Sequence, residues 1–211
     1  MTTEKPNLKW RYAGATFIVL LLTVGLALTL TSSVARRFGL MGAEHILSGF
    51  DHLTFLVMLM IVARQIKELI FIATAFTLAH SITLTAATLG WVQASPAWVE
   101  PLIVLTILYV AIENAVSAAP KARLPATFGF GLIHGLGFAG ALAEGPLPRA
   151  EELMALFSFN LGVEFGQILF LTVSFLLWRA LRRFAPEPGV RRIASGLTIM
   201  LCGYWLWQQL S

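Results

Sequence analysis

An all-helical integral membrane protein, a polytopic bundle of about seven transmembrane helices, is the fold class this sequence predicts. Three observations carry that expectation. Of 211 residues, 57% are hydrophobic and only 12% charged, with a mean hydropathy of +0.78, outside the range of ordinary soluble domains. Seven stretches are each long enough to cross about 30 Å of hydrocarbon as helix. The breaks between them fall where proline, glycine and charge cluster. The whole chain, 1–211, then reads as a single transmembrane domain with no soluble domain and no long linker. The lone Cys202 excludes an intramolecular disulfide. A pI near 9.6 arises from loop cations that face lipid headgroups; nothing suggests a nucleic-acid partner.

The first stretch, near 12–34, follows a basic start and is apolar from Tyr12 to Thr31. Its end at Ser33-Val34-Ala35 resembles a signal-peptide cleavage site, which would leave six helices, but the apolar run is long for a signal core. The second, near 40–63, starts after Arg36-Arg37 and holds His45, Asp51 and His52. The third, near 69–90, starts after the charged run Arg64 to Glu68 and holds His80. The fourth, near 97–118, opens at Ser95-Pro96. The fifth, near 125–143, starts at the second of two prolines, Pro120 and Pro125, and holds His134. The sixth, near 153–178, follows Gly145 to Glu152 and carries Asn160, Glu164 and Gln167. The seventh, near 192–210, follows Pro186 to Gly189.

Short cytoplasmic loops retain positive charge. With the N-terminus inside and the C-terminus outside, 12 of the 15 basic residues fall on the inner side and only Arg36, Arg37 and Arg149 on the outer. The expected location is a bacterial-type inner membrane.

All four histidines lie inside apolar runs, where an unpartnered ionisable group costs several kcal/mol. Placed at about 1.5 Å per residue along straight helices, Asp51, His52, His80, His134 and Glu164 reach one depth near the bilayer midplane. Imidazoles with charge-offsetting carboxylates suit a divalent transition metal; magnesium or calcium would want oxygen ligands. A single membrane histidine is as well explained by a bond to a neighbouring helix; four with acids at matched depth are not. On a straight helix His45 and His52 share a face but stand about 10.5 Å apart. His45, with Glu44, is therefore expected as an outer capture station and His52 as a central ligand, a ladder suited to conduction. Glu113 is a candidate exit group, or a partner for Lys121 and Arg123.

Glycines 129, 131, 135 and 137 surround His134, and Gly162 and Gly166 flank Glu164; small residues let helix backbones approach closely. Asn160, Glu164 and Gln167 share one stripe, the two amides orienting the site as supporting residues rather than ligands. Gly42-Ala-Glu-His45 parallels Gly131-Leu-Ile-His134, and Phe76-Thr-Leu-Ala parallels Phe159-Asn-Leu-Gly. Two sets of three helices would form an inverted repeat, a plan common in transporters.

The run His45 to His52 has an H-x5-D-H pattern, and with Ala75 to Ser81, Phe128 to Phe138 and Phe159 to Gln167 it resembles the HupE/UreJ family of hydrogenase and urease accessory membrane proteins, in its second branch. The resemblance covers roughly residues 40–180. It implies nickel, or cobalt, permeation toward metalloenzymes, metalloenzyme maturation proteins as partners, and essential roles for His45, Asp51 and His52. Those implications come from the family's better-known branch, in which a second signature has two histidines and a glutamate close together; here the comparable glycine-rich stretch holds only His134. The alternative is a zinc-dependent intramembrane hydrolase using the same His/Asp/Glu cluster, with Asp51 or Glu164 as base. No nucleotide-binding motif is present, so an ATP-driven pump is not expected.

Overall fold

The computed structural model describes residues 8–117, 123–138, 149–184 and 187–211, and these are all helix and short connections. Eight helices lie among them: α1 (Leu8–Thr31), α2 (Ser33–Ser48), α3 (Phe50–Ile61), α4 (Ile66–Thr88), α5 (Pro96–Val116), α6 (Arg123–Gly137), α7 (Arg149–Leu181) and α8 (Glu187–Leu210). Helices α4, α5 and α7 are long and apolar enough to cross a membrane, and α2 with α3 passes the same test as one broken span.

Local chemistry accounts for the ends. Ser32 caps α2 by accepting from the Ala35 N–H at 3.3 Å, so Arg36 and Arg37 fall inside α2 rather than in the loop expected there. Pro96, at the first position of α5, leaves no backbone N–H orphaned. Gly90 takes φ +76° in the turn after α4, a region that disfavours a side chain.

The expectation of one straight helix over 40–63 fails. The chain breaks at Gly49, whose φ −76° and ψ 102° are extended, and α3 leaves at 68° to α2. A Cβ at Gly49 would crowd the His45 carbonyl at 2.8 Å, His52 Nδ1 at 3.0 Å and Asp51 Oδ1 at 3.1 Å. The break therefore uses a residue without a side chain.

Two glycine seams assemble the bundle. A Cβ on Gly42 of α2 would collide with the Phe159 carbonyl of α7, and one on Gly162 of α7 with the Gly39 carbonyl of α2. Likewise Gly131 of α6 lies against the Phe76 carbonyl of α4, and Gly135 against that of His80. Backbones this close gain dispersion contacts that side chains would prevent. The core between them is apolar and aromatic: Phe55, Phe76, Phe159, Met58, Ile107 and Leu171 are each at most 2% exposed.

Charge enters the core at one end. Asn114 is fully buried, donates from Nδ2 to the Met58 carbonyl at 2.7 Å, and accepts at Oδ1 from Arg123. Arg191, 6% exposed, donates to the Asn114 carbonyl and pairs with Glu187 at 3.1 Å. Glu113 pairs with Arg123 at 3.5 Å, which accounts for it as a loop-cation partner. Lys121 lies outside the described residues.

Candidate metal centre

The break at Gly49 determines the geometry of the site. Because α3 turns away from α2, His52 folds back toward His45, and the two ring centroids lie 4.7 Å apart. The expectation that about 10.5 Å of helical rise would keep them from sharing an ion is corrected: it presumed a straight helix. His134 of α6 reaches His52 at 5.1 Å between centroids, and His80 of α4 reaches His45 at 6.3 Å.

Two donor triads result. In one, a ligand atom each from His45, His52 and His80 lies within 4.8 Å of the others; in the second, Asp51, His52 and His134 do the same. Ligands on a tetrahedral ion with bonds of about 2.1 Å stand about 3.4 Å apart, so modest inward movement would bring either set onto one ion. His52 belongs to both.

Three of the four imidazoles are held by one ring nitrogen so that the other is left over. His52 Nδ1 lies 3.1 Å from Asp51 Oδ1, so the carboxylate holds its N–H. His80 Nδ1 donates to Asn160 Oδ1 at 3.4 Å. Thr106 Oγ1 donates to the Ile103 carbonyl at 2.7 Å and lies 2.9 Å from His134 Nε2; with its single hydrogen engaged, the hydroxyl accepts from His134. What remains is His45 Nε2, His52 Nε2, His80 Nε2 and His134 Nδ1, all buried and none with a hydrogen-bond partner. Holding one ring N–H on a carboxylate, amide or hydroxyl, and aiming the other nitrogen inward, is how proteins prepare imidazole for a metal. Phe138 lies 4.0 Å from His45, and Phe159 stacks on Phe138 at 4.9 Å, so the rings are fixed in aromatic surroundings.

A cavity of about 410 Å³ leads to this cluster. It is lined by His45, Asp51, His52 and His134 inside, and by Glu100 and Gln209 at its other limit, which are exposed. Its mouth lies beside the start of α5 and the end of α8. Thr106, midway along α5, sets the depth of His134.

Of the nine residues expected at or near the site, five converge: His45, Asp51, His52, His80 and His134. Asn160 acts as expected, orienting His80. Glu164 does not join either triad; its Oε1 accepts from Thr74 Oγ1 at 2.5 Å. Gln167 likewise meets Thr77 at 3.1 Å rather than an imidazole. The stripe they share with Asn160 turns only its outermost member to the histidines. Glu44 is exposed on α2, since the bend at Gly49 removes the common face that a straight helix would give it with Asp51. Thr106, Glu100 and Gln209 were not expected. A lone Thr in an apolar helix ordinarily bonds its own preceding carbonyl, and only the arrival of His134 distinguishes Thr106.

No curated protein and no solved structure matches this chain. A family model described as HupE / UreJ protein matches residues 16–209, nearly its full length and more than the four motifs around the histidines. This chain is a member of the HupE/UreJ family.

Proposed function

We propose that this protein is a transition-metal permease, carrying nickel or cobalt through a His/carboxylate site near the bilayer midplane. The observation that carries the reading is the set of four buried, unpartnered imidazole nitrogens around His52. A structural site would need one closed set of ligands; two triads sharing His52 give an ion two positions separated by a small step. Conduction needs such an arrangement, binding strong enough to strip water and divided enough to release. The cavity between Glu100, Gln209 and the cluster supplies the outer approach.

Seven spans, with the N-terminus inside, fit this reading. Each of the seven apolar stretches overlaps a helix or, in the second, a broken pair, with residues 139–143 of the fifth outside the described residues. The reciprocal seams, Gly42 on Phe159 and Gly131 on Phe76, are what a twofold repeat of α2–α5 and α6–α8 would produce, because the two glycines and the two phenylalanines are the positions that match in sequence. Metal delivery to enzyme-maturation proteins, from the inner face, completes the proposal. The alternative, a zinc hydrolase, would use the same nitrogens, with Asp51 or Glu164 as base.

The deciding experiment is the identity and stoichiometry of metal held by the detergent-purified protein, before and after chelation, beside His52→Ala. Reversible binding of nickel or cobalt that His52→Ala abolishes supports the permease and is followed by flux into proteoliposomes. One tightly retained zinc replaces it with the hydrolase reading. Wild-type flux in His45→Ala, Asp51→Ala and His52→Ala alike would end the assignment.

A further inference from the structure

Between α1, α4 and α7, in a cavity that none of the histidines lines, lies a second polar constellation with different chemistry. A cavity of about 360 Å³ is lined by α4, α7 and α1, including Thr74, Thr77, Ser81, Asn160, Glu164 and Leu21. Glu164 is 3% exposed, and its Oε2 is buried with no hydrogen-bond partner. Gln167 is 1% exposed, Thr77 6% and Thr74 7%.

The donors here are oxygens, and they are short of hydrogens. Thr74 Oγ1 lies 3.0 Å from the Ile70 carbonyl and 2.5 Å from Glu164 Oε1. Thr77 Oγ1 lies 3.2 Å from the Ala73 carbonyl and 3.1 Å from Gln167 Oε1. Two hydroxyls with one hydrogen each thus face four acceptors, and the second carboxylate oxygen has none. Of the residues lining the cavity, Glu164 is the one acid, so the set carries a single negative charge. The polar groups lining the cavity from α4 are Thr74, Thr77, Ser81 and Thr85, and α1 contributes Leu21, none charged; α2 and α3 also pack on α7, but their titratable groups Arg36, Arg37, Glu44, His45, Asp51 and His52 are not among the lining residues. On α7 its neighbours on the stripe are the neutral Asn160 and Gln167, and His80 meets that stripe at Asn160. An isolated carboxylate in such surroundings costs several kcal/mol.

We infer that the Glu164–Thr74–Thr77–Gln167 constellation is a binding site for a small hard monovalent cation, sodium or a proton, separate from the imidazole centre and joined to it through Asn160. All-oxygen ligation excludes the borderline metals that the imidazoles suit, and one carboxylate neutralises one charge. Since Asn160 lines this cavity and also holds His80, occupancy of one site has a direct structural connection to ligand orientation in the other. That connection gives metal movement an ion gradient to couple to, a use that rests on the permease reading; the site itself does not.

The test is labelling of Glu164 by dicyclohexylcarbodiimide, an apolar reagent that attacks carboxyl groups, in the full-length detergent-purified protein, read by mass spectrometry. At fixed pH, sodium chloride lowering the labelling severalfold where potassium chloride does not assigns sodium. Labelling that falls as pH rises and is unchanged by sodium assigns the proton. The same response in His52→Ala, whose metal binding is gone, separates this site from the permease reading. Glu164→Gln controls for the labelled position, and Thr74→Val, which keeps the carboxyl group, should weaken the cation response about tenfold. Absence of labelling in folded protein, labelling that follows neither cation, or protection by nickel alone would overturn the inference.

Discussion

Helices α2 and α6 bring their histidines to the same place by the same means and then part company. Gly42 seats α2 on the Phe159 carbonyl of α7, and Gly131 seats α6 on the Phe76 carbonyl of α4, each three residues before a histidine. Past His134, α6 ends within a turn, at Gly137. Past His45, the chain bends by 68° at Gly49 and continues as α3, so that a carboxylate and a second imidazole return to the cluster. The two arms therefore share a scaffold but not a ligand count. Like glycine seams position the two backbones, and the break on one arm concentrates the chemistry around His52.

The severest way to break the comparison is to fill a seam. Gly42→Leu or Gly131→Leu should each abolish the folded monomer, because a side chain there meets backbone that cannot retreat; overpacking by even a methylene or two costs about 1–3 kcal/mol. Gly129→Leu, on the same helix as Gly131 but with nothing within 4 Å, should leave size-exclusion profile and melting temperature unchanged. Equal behaviour of the two α6 variants would show that the seam does not hold the helices.

Next in size is the difference between the arms. His52→Ala removes a ligand from both triads and should lower nickel affinity by about 100-fold or more, whereas His45→Ala and His134→Ala, each touching one triad, should cost about tenfold. Isothermal titration reads this directly. Equal losses in all three would mean that the triads are not separate positions.

Acid sharpens the same contrast. A protonated imidazole cannot ligate, so acid strong enough to protonate the triads should release the ion, and metal retained after full acidification would remove histidine ligation. The smallest site effect is expected from Thr106→Val, which frees His134 Nε2 from its partner and should cost about tenfold or less; Gly196→Ala, in open space, should alter stability by under about 0.5 kcal/mol.

How far the sequence spoke follows from what each residue needs. The helices were legible because apolar length is a one-dimensional property, and the glycine seams because a missing side chain is visible in the letters. His52, His80 and His134 could be placed at one level by counting rise along the helix. Counting failed at Gly49, since one glycine in an apolar helix reads as a tolerated weakness, and the close approach of His45, Asp51 and His52 that leaves no room for a side chain there exists only in the folded chain. Glu164 was equally beyond its reach: counting gives a position along a helix, but which face of α7 meets α4, and whether it meets imidazoles or threonines, is a matter of rotation about the axis.

Arg191 carries a consequence for how the molecule is made. It belongs to the last helix, yet it donates to the Asn114 carbonyl 77 residues earlier, beside the Asn114 amide that ties α5 to the Met58 carbonyl. During synthesis the Asn114 end of α5 must wait, with a buried carbonyl short of a donor, until α8 has emerged and packed against it. The final helix thus works as the closing pin of the assembly. A chain halted before Glu187 should reach the membrane with the Asn114 end of α5 still open to protease, while the histidine cluster, whose donor residues all precede α8, has already formed.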